Sequence, residues 1–176
     1  MIIYCYNEHH TYLLFFDLEF DNRRLVQFAG LLFQKIDEDK SGSTYQLRTS
    51  GNQYRTPDDK VCYPFSEYTG LTTNFLRDNG VPLHDVKKDE MLSNVALDQL
   101  EVISHGLKND RMILLENDIN LSTYVDKSGN KKPIDGYCTY KNAQRILQRN
   151  IHLKEEDIAA ESGYYMHNAH NAFNDV

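Results

Sequence analysis

Three short stretches combine residue types and spacings that could do chemistry. The first is Asp17-x-Glu19, which closes the apolar run 11–16 (TYLLFF). Along a strand, positions i and i+2 face the same side. Both carboxylates therefore project together, and two acids so placed repel each other unless a cation lies between them. The second is Asp110, at the end of Ser104-His105-Gly106-Leu107-Lys108-Asn109-Asp110, where an apolar stretch gives way to a helix. The third is His170-Asn171-Ala172-Phe173-Asn174-Asp175. On a helix, residues five apart are separated by about 140° of rotation, so His170 and Asp175 could flank a cleft from different angles. Histidine is the usual general base near neutral pH. Each stretch also has a plain reading. Acidic strand ends are common at turns, a carboxylate in a first helical turn suits the helix dipole, and residues 167–170 could be a polar helix face.

The elements that must hold these residues follow from the apolar pattern. TYLLFF and the run 25–33 (LVQFAGLLF) flank the polar Asp21-Asn22-Arg23-Arg24 and read as an antiparallel hairpin. A Ser-, Gly- and Asp-rich turn over 37–44 leads to a third strand over 45–54. Thr72 or Thr73 caps a short helix that ends at Asn79-Gly80. A helix is expected over 84–97 and a buried strand over 100–104. A helix then begins at 111–115 (RMILL), and 127–132 (KSGNKK) reads as a loop. A strand over 137–140, a helix over 142–148, a helix over 153–161 broken at Gly163, and a final helix over 167–176 complete the chain. Antiparallel strands first, then strands alternating with helices, predict a mixed α/β layered domain.

With 176 residues, 40% hydrophobic and 26% charged, the chain has the size and composition of one soluble domain. It contains no apolar run long enough to span a bilayer, and its start lacks the pattern of a secretory signal. Cys5, Cys62 and Cys138 are odd in number and widely spaced, which predicts buried or half-buried thiols in a reducing cytoplasm rather than a zinc site or disulfides. A net charge of −7 argues against a protein held on nucleic acid by a basic surface. It leaves open an enzyme whose phosphate-facing charges are metal ions.

Taken in order, the strand with DxE, the strand–loop–Asp–helix and the terminal HxxxxD resemble the DnaQ-like (DEDDh) 3′→5′ exonucleases of the RNase H-like superfamily. FFDLEF with LVQFAGLLF, YTGLT, SHGLKNDRMILL and HNAFNDV carry the likeness, over nearly the whole chain from about Tyr12 to Val176. His five residues before Asp is the most specific feature, and Asn171 stands where the sister subgroup has Tyr. The resemblance implies a mixed central sheet with antiparallel first strands and then parallel ones, flanked by helices. It implies a single exonuclease domain over 1–176, cut short in its final helix because the chain stops one residue after Asp175. It implies roles as well. Asp17 would bridge two divalent cations, Glu19 and Asp175 would hold the nucleophile-side ion, and Asp110 would act on the other, partly through water. His170 would take a proton from the water that attacks the terminal phosphate. Mg²⁺ suits such oxygen ligands, and Mn²⁺ should substitute.

The implied substrate is a single-stranded nucleic acid 3′ end, DNA favoured, released as nucleoside 5′-monophosphates in repair, proofreading or other processing. The resemblance leaves room for a protein partner, a polymerase or processing complex, which the sequence does not specify. Leu18 and Phe20 beside the carboxylates, and Leu71 and Thr72 in YTGLT, are the candidate contacts to the terminal nucleotide, with core packing the alternative for Leu18 and Phe20. Lys87-Lys88, Lys131-Lys132, Arg145 and Arg149 could follow the strand or be solvated faces. The chain departs from the pattern at Phe20, where many relatives carry Thr. Gly106 and Asn109 replace the usual Asn and Phe, a change expected to loosen the packing that aims Asp110. Two rivals stand beside the DNA exonuclease: a catalytically weak exonuclease-fold binding module, and an RNA-directed enzyme of the same chemistry.

Overall fold

The computed structural model describes residues 1–6, 8–58, 60–82, 91–148, 154–161, 163 and 170–176. Its centre is a six-stranded sheet of β1 (Ile2–Tyr6), β2 (Tyr12–Asp21), β3 (Arg24–Glu38), β4 (Gly42–Tyr54), β5 (Leu100–Ser104) and β8 (Asp135–Cys138), in the order β1-β4-β3-β2-β5-β8. The first four pair antiparallel, while β2–β5 and β5–β8 are parallel. The expected mixed sheet is therefore present, with β2 at the junction of its two halves. β6 (Thr123–Val125) and β7 (Lys131–Pro133) form a separate hairpin where a loop is expected over 127–132.

The β2–β3 turn is built from Asn22 and Arg23, both at positive φ (49° and 67°). Two consecutive left-handed residues twist a two-residue turn to match the twist of the strands it joins. Between Glu19 and Phe20 the ladder slips by one residue, with Val26 of β3 left over, so β3 bends just beyond the partner of the second carboxylate.

Six helices accompany the sheet among the described residues: α1 (Tyr63–Thr69), α2 (Thr73–Asn79), α3 (Leu107–Glu116), α4 (Thr139–Ile146), α5 (Glu155–Glu161) and α6 (Ala172–Asp175). Thr72 caps α2, its hydroxyl accepting the amide of Phe75 at 3.2 Å. The main core lies between one face of the sheet and α3. Leu14, Phe16 and Leu18 alternate along β2 and meet Val102, Leu107, Ile113 and Leu114. The end of α3 is tied to the hairpin by buried Asn117. Its Oδ1 accepts the amide of Leu25 at 3.0 Å, and its Nδ2 donates to the carbonyl of Arg23 at 3.0 Å. On the opposite face Leu13, Phe33, Tyr45 and Ile103 pack together, and Val26, Leu71 and Leu76 join α2 to the sheet.

Three expectations need correction. The helix expected over 84–97 has its first part, 84–90, outside the described residues. Beyond Met91 the chain turns through Asn94 at φ 61° and enters a 3₁₀ turn, Leu97–Gln99. Cys62 is exposed rather than buried. The last helix is short, and His170 precedes it in a left-handed conformation (φ 73°), so His170 and Asp175 do not share a helix. The part of that expectation covering 167–169 lies outside the described residues, as do Lys87, Lys88 and Arg149.

Candidate active site

Asp17 and Glu19 leave the same side of β2, as alternation requires. α6 brings the carboxylate of Asp175 to them, and one oxygen from each of the three acids lies within 4.8 Å of the others. Asp110 stands in the first turn of α3, buried at 6% exposure. It is near enough to Asp17 for its charge to act there. Four acids distant in sequence thus converge at the end of β2.

The seat of α6 is prepared by a side chain that the motif reading passed over. Gln27, fully buried on β3, pairs across the hairpin with Glu19. Its Oε1 accepts the amide of Ala172 at 3.2 Å, and its Nε2 donates to Asn171 Oδ1 at 3.1 Å and Asn52 Oδ1 at 2.8 Å. One amide satisfies three polar partners and fixes where the last turn of the chain begins. Its only signal in the sequence is a lone Gln inside the apolar run LVQFAGLLF.

The electrostatics are those of acids crowded together in a partly dry site. Burial pushes the carboxyl of Asp17 up to about 7, with Asp110 and then Asp175 adding repulsion against a counteracting hydrogen bond from the Leu18 amide. Burial also raises Asp110, opposed by the Ser104 hydroxyl, which donates to Oδ2 at 2.6 Å. Ser104, at the end of β5, opens the second stretch, where the motif reading gives it no role. It answers the expectation that Gly106 and Asn109 would leave Asp110 loosely aimed: that carboxylate is buried and hydrogen-bonded. Asp175 is raised by burial too, opposed by the amide of His170, which donates to Oδ2 at 2.9 Å. Its other oxygen, Oδ1, is buried without a hydrogen-bond partner among the described residues.

A divalent cation fits this set on its chemistry. The donors are all hard carboxylate oxygens, they repel one another without a positive charge, and one buried oxygen lacks a donor.

His170 does not enter the carboxylate cluster. Its ring stacks on Tyr68 of α1, and its Nε2 lies 3.8 Å from Glu156 of α5. Among the other candidates, Leu18 is a core residue and Leu71 is buried with Val26 and Leu76. Either can offer a ligand mainly its backbone. Phe20 is half-buried at the edge of the core, and Thr72 is exposed with its hydroxyl engaged in capping α2. A second gathering of Glu8, His10 and Glu101 lies at the opposite end of β2 and β5.

The sheet order and the placement of its helices are those of the RNase H-like exonuclease fold, which the chain shares with solved exonucleases over about 94% of its length. Among solved structures, E. coli Exonuclease I in complex with a dT13 oligonucleotide superposes with a TM-score of 0.64 at 17% identity, covering 94% of this chain and 38% of its own. A 3′-exonuclease solved in 3′-end specific recognition of the histone mRNA stem-loop gives 0.65 at 9% identity, covering 96% and 78%. Exonuclease X in complex with 5′ overhanging duplex DNA gives 0.54 at 16% identity, covering 86% and 73%. The chain thus spans little more than a third of Exonuclease I. No protein-family model matches the sequence, and no curated protein does.

Proposed function

We propose that this protein is a metal-dependent 3′→5′ exonuclease that trims single-stranded nucleic acid ends, DNA in preference, to nucleoside 5′-monophosphates. The observation that carries the reading is the convergence of Asp17, Glu19 and Asp175 within 4.8 Å, with Asp110 acting on Asp17. The fold adds weight, because the structures it resembles include an exonuclease holding a single-stranded oligonucleotide.

Glu19 and Asp175 would hold one divalent cation, Asp110 a second, and Asp17 both. Two such ions, when bound, stabilise the attacking and leaving oxygens of an in-line displacement at phosphorus. The chain's own groups do the rest. Ser104 keeps a hydrogen bond on Asp110 and favours its ionised form. Gln27 seats α6 so that Asp175 faces β2. His170 accepts a proton from the attacking water. Water adds across the terminal P–O3′ bond, leaving a 5′-monophosphate and a strand shortened by one nucleotide with a new 3′-hydroxyl.

A second reading, the same chemistry on RNA ends, draws support from the likeness to the exonuclease that recognises a histone mRNA stem-loop. One experiment tests both. DNA and RNA oligonucleotides, labelled at either end, are incubated with Mg²⁺, Mn²⁺ or EDTA. A ladder receding from the 3′ end, abolished by EDTA and by Asp17→Ala, supports the enzyme, and the two substrates rank DNA against RNA. Binding without cleavage at high protein concentration would replace it with a nucleic-acid-binding module.

A further inference from the structure

We propose that Tyr68 is a positioning residue for His170: its phenol ring is the surface on which the proton-accepting imidazole is held. The inference rests on the exonuclease reading above. The two rings stack with centroids 3.7 Å apart and planes 29° from parallel. The imidazole is also bounded at its edge, where Nε2 lies 3.8 Å from Glu156, and at its backbone, where the amide donates to Asp175. His170 has a positive φ of 73°, a backbone state that a non-glycine residue keeps only where its surroundings hold it.

Tyr68 is placed to do this. It is 56% exposed, so its ring is not spent on the core. Its backbone is nevertheless fixed at both ends of α1. Asp21, the last residue of the strand that bears Asp17 and Glu19, accepts the Cys62 amide at 2.9 Å where α1 begins. At the other end Gly70 donates to the Ser66 carbonyl at 3.0 Å, and the Thr69 hydroxyl accepts the Leu71 amide at 3.1 Å. β2 therefore carries the carboxylates and, through Asp21, also anchors the helix that carries Tyr68. An imidazole on a left-handed residue next to a short terminal helix has several rotamers open to it. A ring stacked on one face removes most of them, and orientation of a catalytic group is where rate is gained.

The test compares Tyr68→Leu and Tyr68→Phe. Leu should lower kcat about tenfold or more with KM little changed, and Phe, which keeps the ring, should restore it. In a His170→Ala background, Tyr68→Leu should cost nothing further. Independently of activity, the His170 Cε1–H resonance should lie upfield in the wild type and in Tyr68→Phe and move downfield in Tyr68→Leu. An equal loss with and without His170, a rise in KM at unchanged kcat, or an unmoved resonance would each overturn the proposal while leaving the exonuclease reading in place. Absence of cleavage by the wild-type protein with either metal would overturn both.

Discussion

The side-chain carbonyl of Gln27 accepts the backbone amide of Ala172 at 3.2 Å, joining the start of β3 to the first residue of the last helix. Gln27 faces Glu19 across the hairpin, so the bond sets the distance between a carboxylate near the chain's beginning and Asp175 near its end. The site is held by one buried amide as much as by the acids themselves.

Replacing Gln27 with Leu keeps most of the volume and leaves Ala172, Asn171 and Asn52 each short of a partner. Unpaired buried polar groups cost about 1–3 kcal/mol apiece, and Asn52 and Asn171 can turn to other partners, so the expected loss is about 2–4 kcal/mol. Chemical denaturation measures it. Mn²⁺ affinity should fall with it, because Asp175 loses its seat. Unchanged stability together with unchanged Mn²⁺ binding would show that α6 is held by other means.

The crowded acids make a prediction about pH. Asp17 is raised from its ordinary 3.8 to about 7, so between those values the folded protein binds a proton that the unfolded chain releases. Stability from this group is therefore present at low pH and lost as pH climbs toward 7 and beyond, by up to about 4 kcal/mol. Glu101, also raised to about 7 by burial and by Glu8, contributes with the same sign at the other end of the sheet. Without divalent cations, the melting temperature should fall between pH 5 and pH 8. Asp17→Asn should flatten part of that fall. Added Mn²⁺ should raise the melting temperature more at pH 8 than at pH 5, since below pH 7 the ion must displace a proton. A Mn²⁺ effect that is independent of pH would contradict the raised Asp17.

Much of this was legible from residue types. The hairpin of TYLLFF and LVQFAGLLF could be read because two apolar runs flank a polar turn, and the alternation of β2 put Asp17 and Glu19 on one side. What could not be read was set by contacts distant in sequence. α1 buries no residue, so it leaves no apolar periodicity, and Lys131 and Lys132 are exposed in β7 with no alternation to betray a strand. His170 falls outside the helix because its amide is caught by the carboxylate of Asp175, an event no helix propensity describes. Ser104 and Gln27 are polar residues within apolar strands, and only the fold shows what they meet.

Ser104→Ala should act through Asp110. The lost hydroxyl leaves Oδ2 without its 2.6 Å donor, and removing a bond that favours the ionised carboxylate pushes Asp110 further up. The expected cost in stability is about 1–3 kcal/mol near neutral pH and less in acid, where the carboxyl is protonated in either protein. Cleavage should fall and be partly recovered at higher pH. Ser104→Thr, which keeps a hydroxyl, should sit between the two. A rate in Ser104→Ala equal to wild type from pH 6 to 9 would remove Ser104 from the site.

His170 and Asp17 should fail in different ways, and the difference tests the division of labour between them. His170 meets the carboxylate cluster through Asp175, whose carboxylate accepts its backbone amide and also feels the charge of its ring. His170→Ala keeps that amide, so Mn²⁺ binding measured by calorimetry should stay near wild type. The rate should nonetheless drop about 10²–10⁴-fold, the usual worth of a positioned general base. Asp17→Asn keeps the shape of the site and removes a negative charge that the other acids oppose. It should stabilise the metal-free protein near pH 8, weaken Mn²⁺ binding, and abolish cleavage. If His170→Ala instead lost the metal, the histidine would belong to the cation site. If it kept full activity, the proton would leave the attacking water by another route.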